Sequence, residues 1–126
     1  MSKREEIVRN YIQAYNNFEV EGMVAHFSDN IVFENILNGQ TTDTLEGIED
    51  FKEQAETAKS YFEDREQTIT ELIELRDNIE IRIQYTATLA VDFPNGLNKG
   101  EKLELAGKSI FQFNDDDQVV RLLDIA

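Results

Sequence analysis

The chain has 126 residues, with 26 Asp and Glu against 12 Lys and Arg, a formal net charge of -14. A surface this acidic repels phosphate backbones and anionic lipid, so neither nucleic acid nor a membrane is an expected partner. There is no cysteine and one histidine, which removes disulfides, thiolate chemistry and a multi-histidine metal site within one chain; no metal or cofactor is expected.

The length suits one domain over 1–126, and such a domain buries roughly two thirds of the surface its unfolded chain exposes. The opening MSKREEIVRN has no apolar stretch of the kind a secretory leader carries. No apolar run approaches the ~20 residues that span a bilayer. The expected setting is the cytoplasm.

Ser2 with Glu5 three residues later forms a capping box, so a helix is predicted from Lys3. Ile7, Val8, Tyr11, Ile12, Tyr15 and Phe18 follow helical spacing, and Asn16-Asn17 marks the end. A second, short helix fits 20–27, with Val20, Met23, Val24 and Phe27 on one face. Asp29-Asn30 reads as a turn, and 31–36 as a strand with Ile31, Phe33 and Asn35 on one side. Residues 38–43 are polar and loop-like. Gly47 opens a third amphipathic helix in which Ile48, Phe51, Ala55, Ala58 and Phe62 recur at helical spacing.

Strands dominate the rest. Residues 67–76 form one, Asp77-Asn78 turns the chain, and 79–93 alternates apolar and polar side chains over a long run. A loop begins at Pro94-Asn95-Gly96 and runs to Gly100. A further strand covers 102–113, and VVRLLDI (119–125) closes the chain. The acidic run 114–117 lacks the ordered spacing of a calcium loop and reads as an exposed turn between strands. The order ααβαββββ, helices before long antiparallel strands, predicts an α+β fold: a small curved sheet wrapped around helices, with a pocket between them.

Alternation places Ile79, Ile81, Ile83, Tyr85, Ala87, Leu89, Val91 and Phe93 on one face of the long strand. On the next strand Leu103, Leu105, Gly107, Ser109, Phe111 and Phe113 share a face, and on the last strand Val120, Leu122 and Asp124 do. Ser109 and Asp124 are the polar members of otherwise apolar rows. A buried carboxylate costs free energy unless paired or protonated, so Asp124 reads either as a pocket acid or base, or as a terminal residue paired with Arg121 or a lysine. His26 reads as a packing residue at a helix end or a neutral-pH titrating group. Tyr11 and Tyr15 share a helix face as core or pocket tyrosines. Gln84, Thr86 and Thr88 form an outer stripe suited to a dimer surface or to solvent.

IVRNYIQAYNNFEVEGMVAHFSDNIVFEN (7–35), followed by Gly47-Ile48-Glu49, resembles the opening of the nuclear transport factor 2-like superfamily, in particular its SnoaL-like members. SIFQFNDDDQVVRLLDI (109–125) resembles that superfamily's last hairpin. The resemblance implies a cone-shaped fold, three helices on a strongly bent, mostly antiparallel mixed sheet, with an apolar pocket at the wide end. It also implies a homodimer formed through the outer face of the sheet.

Against the ketosteroid isomerases, Tyr11 matches the oxyanion-hole tyrosine. Asn35 stands where their catalytic aspartate is, and Ser109 where their second oxyanion donor is. An amide has no useful basicity near neutral pH, so isomerase chemistry of that design is not expected. SnoaL-like polyketide cyclases and limonene epoxide hydrolases resemble the chain more loosely. Both place an aspartate on the last strand, where Asp124 stands.

The expected function is binding of a small, mostly apolar molecule. Tyr11, Tyr15, Asn35 and Ser109 are its expected polar contacts, Phe33, Phe111 and Leu122 its apolar wall, and Asp124 the candidate catalytic acid or base. A cyclase- or isomerase-type enzyme using Asp124, and a protein-interaction module on the same scaffold, are the alternatives.

Overall fold

The computed structural model describes residues 1–94 and 96–126; of the expected loop at Pro94-Asn95-Gly96, Asn95 lies outside the described residues. Three helices, α1 (Lys3–Asn16), α2 (Val20–Met23) and α3 (Ile48–Lys59), accompany six strands: β1 (Phe27–Leu37), β2 (Gln40–Glu46), β3 (Phe62–Glu74), β4 (Asn78–Leu89), β5 (Lys102–Phe113) and β6 (Val119–Ile125). The strands form one curved sheet in the order β2-β1-β6-β5-β4-β3. Only β1 and β6 run parallel; the other neighbours are antiparallel. This is the α+β fold that the pattern predicts, in the cone form that the resemblance implies.

The first helix starts where its cap dictates, with the Glu5 amide donating to Ser2 Oγ at 3.0 Å. Its stripe of Ile7, Val8, Tyr11, Ile12 and Ala14 is buried. Gly22 allows α2 to press against α1, since a Cβ there would come within 2.9 Å of the Ala14 Cβ. The acidic turn after β5 is held by Asn114, whose Oδ1 accepts from the amides of Asp116 and Gln118.

Four expectations are corrected. The order is ααββαββββ: the polar stretch expected as a loop contains β2, paired with β1 across an Asn38-Gly39 turn with φ of 53° and 79°. Positive φ at both central residues is what a tight two-residue hairpin needs. Asp29-Asn30 lies inside β1, which starts at Phe27, so the short helix ends at Met23 and Phe27 belongs to the sheet. Phe62 opens β3 rather than closing the third helix. The long strand ends at Leu89, four residues short of Phe93.

Cross-strand register aligns the inward side chains into rungs. Phe33, Leu122, Phe111 and Ile79 pair in sequence across β1, β6, β5 and β4. Leu122, Phe111 and Ile79 are fully buried, and full burial of such side chains contributes roughly 1.5–3 kcal/mol each. The next inward rung, two residues along, is Asn35, Asp124, Ser109 and Ile81.

Candidate functional site

A cavity of about 490 Å³ opens between α1, α3 and the sheet. Phe33, Phe51, Phe62 and Phe93 form much of its wall, and Tyr11, Tyr15, Asn35, Arg65 and Asp124 bring polar groups to it. A smaller cavity of about 240 Å³ lies toward β4 and β5, lined among others by Gln67, Tyr85, Leu105 and Ser109; it shares Tyr15, Asn35 and Asp124 with the larger one. A further hollow, about 590 Å³, is a surface groove between α1 and β3 lined by exposed polar side chains such as Arg9, Gln13 and Glu66. It lacks the apolar walls that small-molecule sites have.

Asp124 lines both cavities. Ser109 Oγ donates to its Oδ1 at 2.7 Å, across the β5–β6 pair. Burial pushes its carboxyl from 3.8 up to about 6, while the Ser109 hydrogen bond pulls it back. The alternative pairing with Arg121 does not occur, because Arg121 takes Glu34. A carboxyl titrating near 6 exchanges its proton close to neutral pH, as a general acid or base must.

The tyrosines stay neutral donors. Burial, then the charge of Asp124, holds the Tyr11 hydroxyl protonated well above its ordinary range. Its ring stacks on Phe27 at 5.8 Å and meets Phe111 edge-on at 5.3 Å. Tyr15 and Tyr85 share a hydroxyl–hydroxyl hydrogen bond of 3.1 Å, and burial raises both above the usual phenol value.

The end of α1 is docked on β3 by two contacts that aim Tyr15. The Asn16 amide substitutes for a strand partner: its Nδ2 donates to the Gln67 carbonyl at 3.1 Å, and its Oδ1 accepts from the Gln67 amide at 2.7 Å. Arg65 Nε donates to the Tyr15 carbonyl at 3.1 Å. The helix then ends in a Schellman-type cap, with the Glu19 amide reaching the Ala14 carbonyl at 2.9 Å. Phe18 holds the left-handed position of that cap at φ 59°, where a side chain costs on the order of 1–2 kcal/mol.

The structure brings together Tyr11, Tyr15, Phe33, Asn35 and Asp124 at the larger cavity and Ser109 at the smaller. It does not bring Phe111 or Leu122 to either wall: both are fully buried in the core rung behind Tyr11. His26 lies in the turn before β1, where its carbonyl accepts from the Val119 amide. Asn35 donates to Thr42 Oγ1 at 2.9 Å, so β2, absent from the sequence reading, positions it. Sequence reasoning also missed Arg65, Gln67 and Tyr85. Tyr85 had a usable signal, since it shares a row with Ile81 and Ile83.

With the geometry in place, the family is clear: the SnoaL-like domain model matches residues 8–122, and the chain belongs to that family. Three solved structures show the same fold. An NTF2-like protein of unknown function from Burkholderia pseudomallei superposes with a TM-score of 0.80 at 16% identity, covering 98% of this chain and 90% of that one. A candidate SnoaL-like polyketide cyclase from Jannaschia gives 0.79 at 14%, covering 96% and 83%. A candidate hydroxylase from Streptomyces galilaeus gives 0.77 at 21%, covering 98% and 88%. Identities this low speak for the fold alone. No curated protein matches the chain significantly by sequence.

Proposed function

We propose that this SnoaL-like domain binds a small, mostly apolar molecule in the cavity between the helices and the sheet, with Tyr11, Tyr15, Asn35 and Asp124 as its polar contacts. The observation that carries this reading is the cavity: about 490 Å³, walled by aromatic rings and open, with Phe33 and Phe62 lining it rather than plugging it. Small-ligand sites occupy roughly 300–1,000 Å³ and pair apolar walls with a few convergent polar groups. The open hollow also weighs against a purely protein-binding scaffold. Titration with the neutral dye N-phenyl-1-naphthylamine tests it. Saturable fluorescence enhancement at one site per chain is expected; a flat, non-saturating response overturns the reading.

A second reading has its own observation. Asp124, with its carboxyl at about 6 and its Ser109 partner, has the properties of an acid/base catalyst of the polyketide-cyclase type. Asn35 in place of a carboxylate argues against an isomerase-style carbon-acid shuttle. In this reading Asp124→Asn lowers turnover of a polyketide-type carbonyl substrate by about 10²–10⁴, and an unchanged rate removes Asp124 from the chemistry.

In the same proposal the protein works in the cytoplasm and pairs with a second copy through the outer sheet face. That face presents the half-buried, cross-strand neighbours Ile110 and Leu123. A monomer mass by light scattering at micromolar concentration would remove that part.

A further inference from the structure

Arg65 is a buried cation without a counter-ion. Only 5% of it is exposed. Its guanidinium carbon sits 3.7 Å from the centre of the Tyr15 ring and 4.5 Å from that of Phe18, and its Nε is spent on the Tyr15 carbonyl. Among the described residues no carboxylate comes within ion-pairing distance of it, and its Nη2 has no hydrogen-bond partner and no contact with water. Ring contacts offset part of the cost of burying such a charge, and an anion held in the adjoining cavity would offset more of it. The residue also lines the larger cavity, beside Phe33, Phe62 and Phe93, with the carboxyl groups of Asp43 and Asp124 elsewhere on the same wall.

The rest of the molecule sharpens the point. A chain with a net charge of -14 repels anions in general, so a lone buried guanidinium at an aromatic hollow is a local exception. We infer that Arg65 is an anion-recognition residue, and that the cavity takes small organic acids with an apolar body and one anionic oxygen, such as a carboxylate, enolate or phenolate. The inference rests on the proposal that the cavity binds apolar molecules, and adds their charge.

Two dyes that share one aromatic body test it: neutral N-phenyl-1-naphthylamine and its anionic relative 8-anilinonaphthalene-1-sulfonate, titrated in about 0.5 M salt so that the general repulsion is screened. The sulfonate is expected to bind the wild-type protein about tenfold more tightly, the ratio that one charge-assisted hydrogen bond supplies. Arg65→Gln is expected to erase that preference while the neutral dye still binds, and Arg65→Lys to keep part of it. Equal or weaker sulfonate binding to the wild type, with the neutral dye bound, overturns the role of Arg65 and leaves the apolar cavity standing. Failure of both dyes brings down the cavity itself. A preference unchanged in folded Arg65→Gln also overturns the inference. The wild-type ratio decides the matter even if that variant does not fold.

Discussion

Two neighbouring rungs of the sheet differ in kind. Phe33, Leu122, Phe111 and Ile79 pair across four strands and close the core, three of them without measurable exposure. One step further along the same strands the rung becomes Asn35, Asp124, Ser109 and Ile81, and two of its polar members border the larger cavity. Other elements change in the same sense: Tyr11, packed on Phe27 and Phe111, is followed one helical turn on by Tyr15 with its hydroxyl on Tyr85. The inner face is therefore one surface with a gradient. Its closed end supplies stability, and its open end carries polar groups whose burial costs stability.

That contrast can be broken from either side. The largest expected effect is at the closed end, where Phe111→Ala should lose about 3–5 kcal/mol in denaturant unfolding; a loss under 1 kcal/mol would mean the rung is not the core.

At the open end the sign reverses. The Asp124 carboxyl holds its proton more tightly folded, at about 6, than unfolded, near 3.8. Charging it therefore opposes folding, an effect absent below pH ~4 and complete above pH ~6. Asp124→Asn should match the parent's stability at pH 4 and exceed it at pH 8, by on the order of 1–3 kcal/mol. A variant that is less stable at pH 8 contradicts a desolvated carboxyl. Tyr15→Phe should cost about 0.5–1.5 kcal/mol, one hydroxyl hydrogen bond, with dye affinity changing as well if Tyr15 faces the ligand. The smallest effect concerns Ser109→Ala, which removes the hydrogen bond that pulls Asp124 down, so the carboxyl should titrate above its parent value in an NMR pH series.

Much of this was legible in the residues. The bounds of the two closing strands match the sequence reading, because each is a continuous β-prone run between turn residues, and Ser109 and Asp124 stand out as polar interruptions of apolar rows. Parity tells which face a side chain takes but not how deep it lies along the cone, which is why Phe111 and Leu122 were expected in a cavity wall and lie behind it. The second strand was missed because almost every residue of QTTDTLE is exposed at the sheet edge and no apolar period marks it; Asn38-Gly39 was its one signal. Arg65 and Gln67 sit among the charged and polar residues of EDREQT, where no apolar period marks a buried face. Their burial comes from α1 docking onto β3 through Asn16, a tertiary contact with no local pattern.

The proposed site joins an open, mostly apolar hollow to the Asp124 carboxyl on its wall. Carbon-13 NMR of aspartate-labelled protein tests it directly, with the Asp124 signal assigned by its absence in Asp124→Asn. The account predicts a carboxyl titrating near pH 6 whose resonance moves when N-phenyl-1-naphthylamine saturates the protein. A carboxyl titrating near 4 and indifferent to the dye would contradict it.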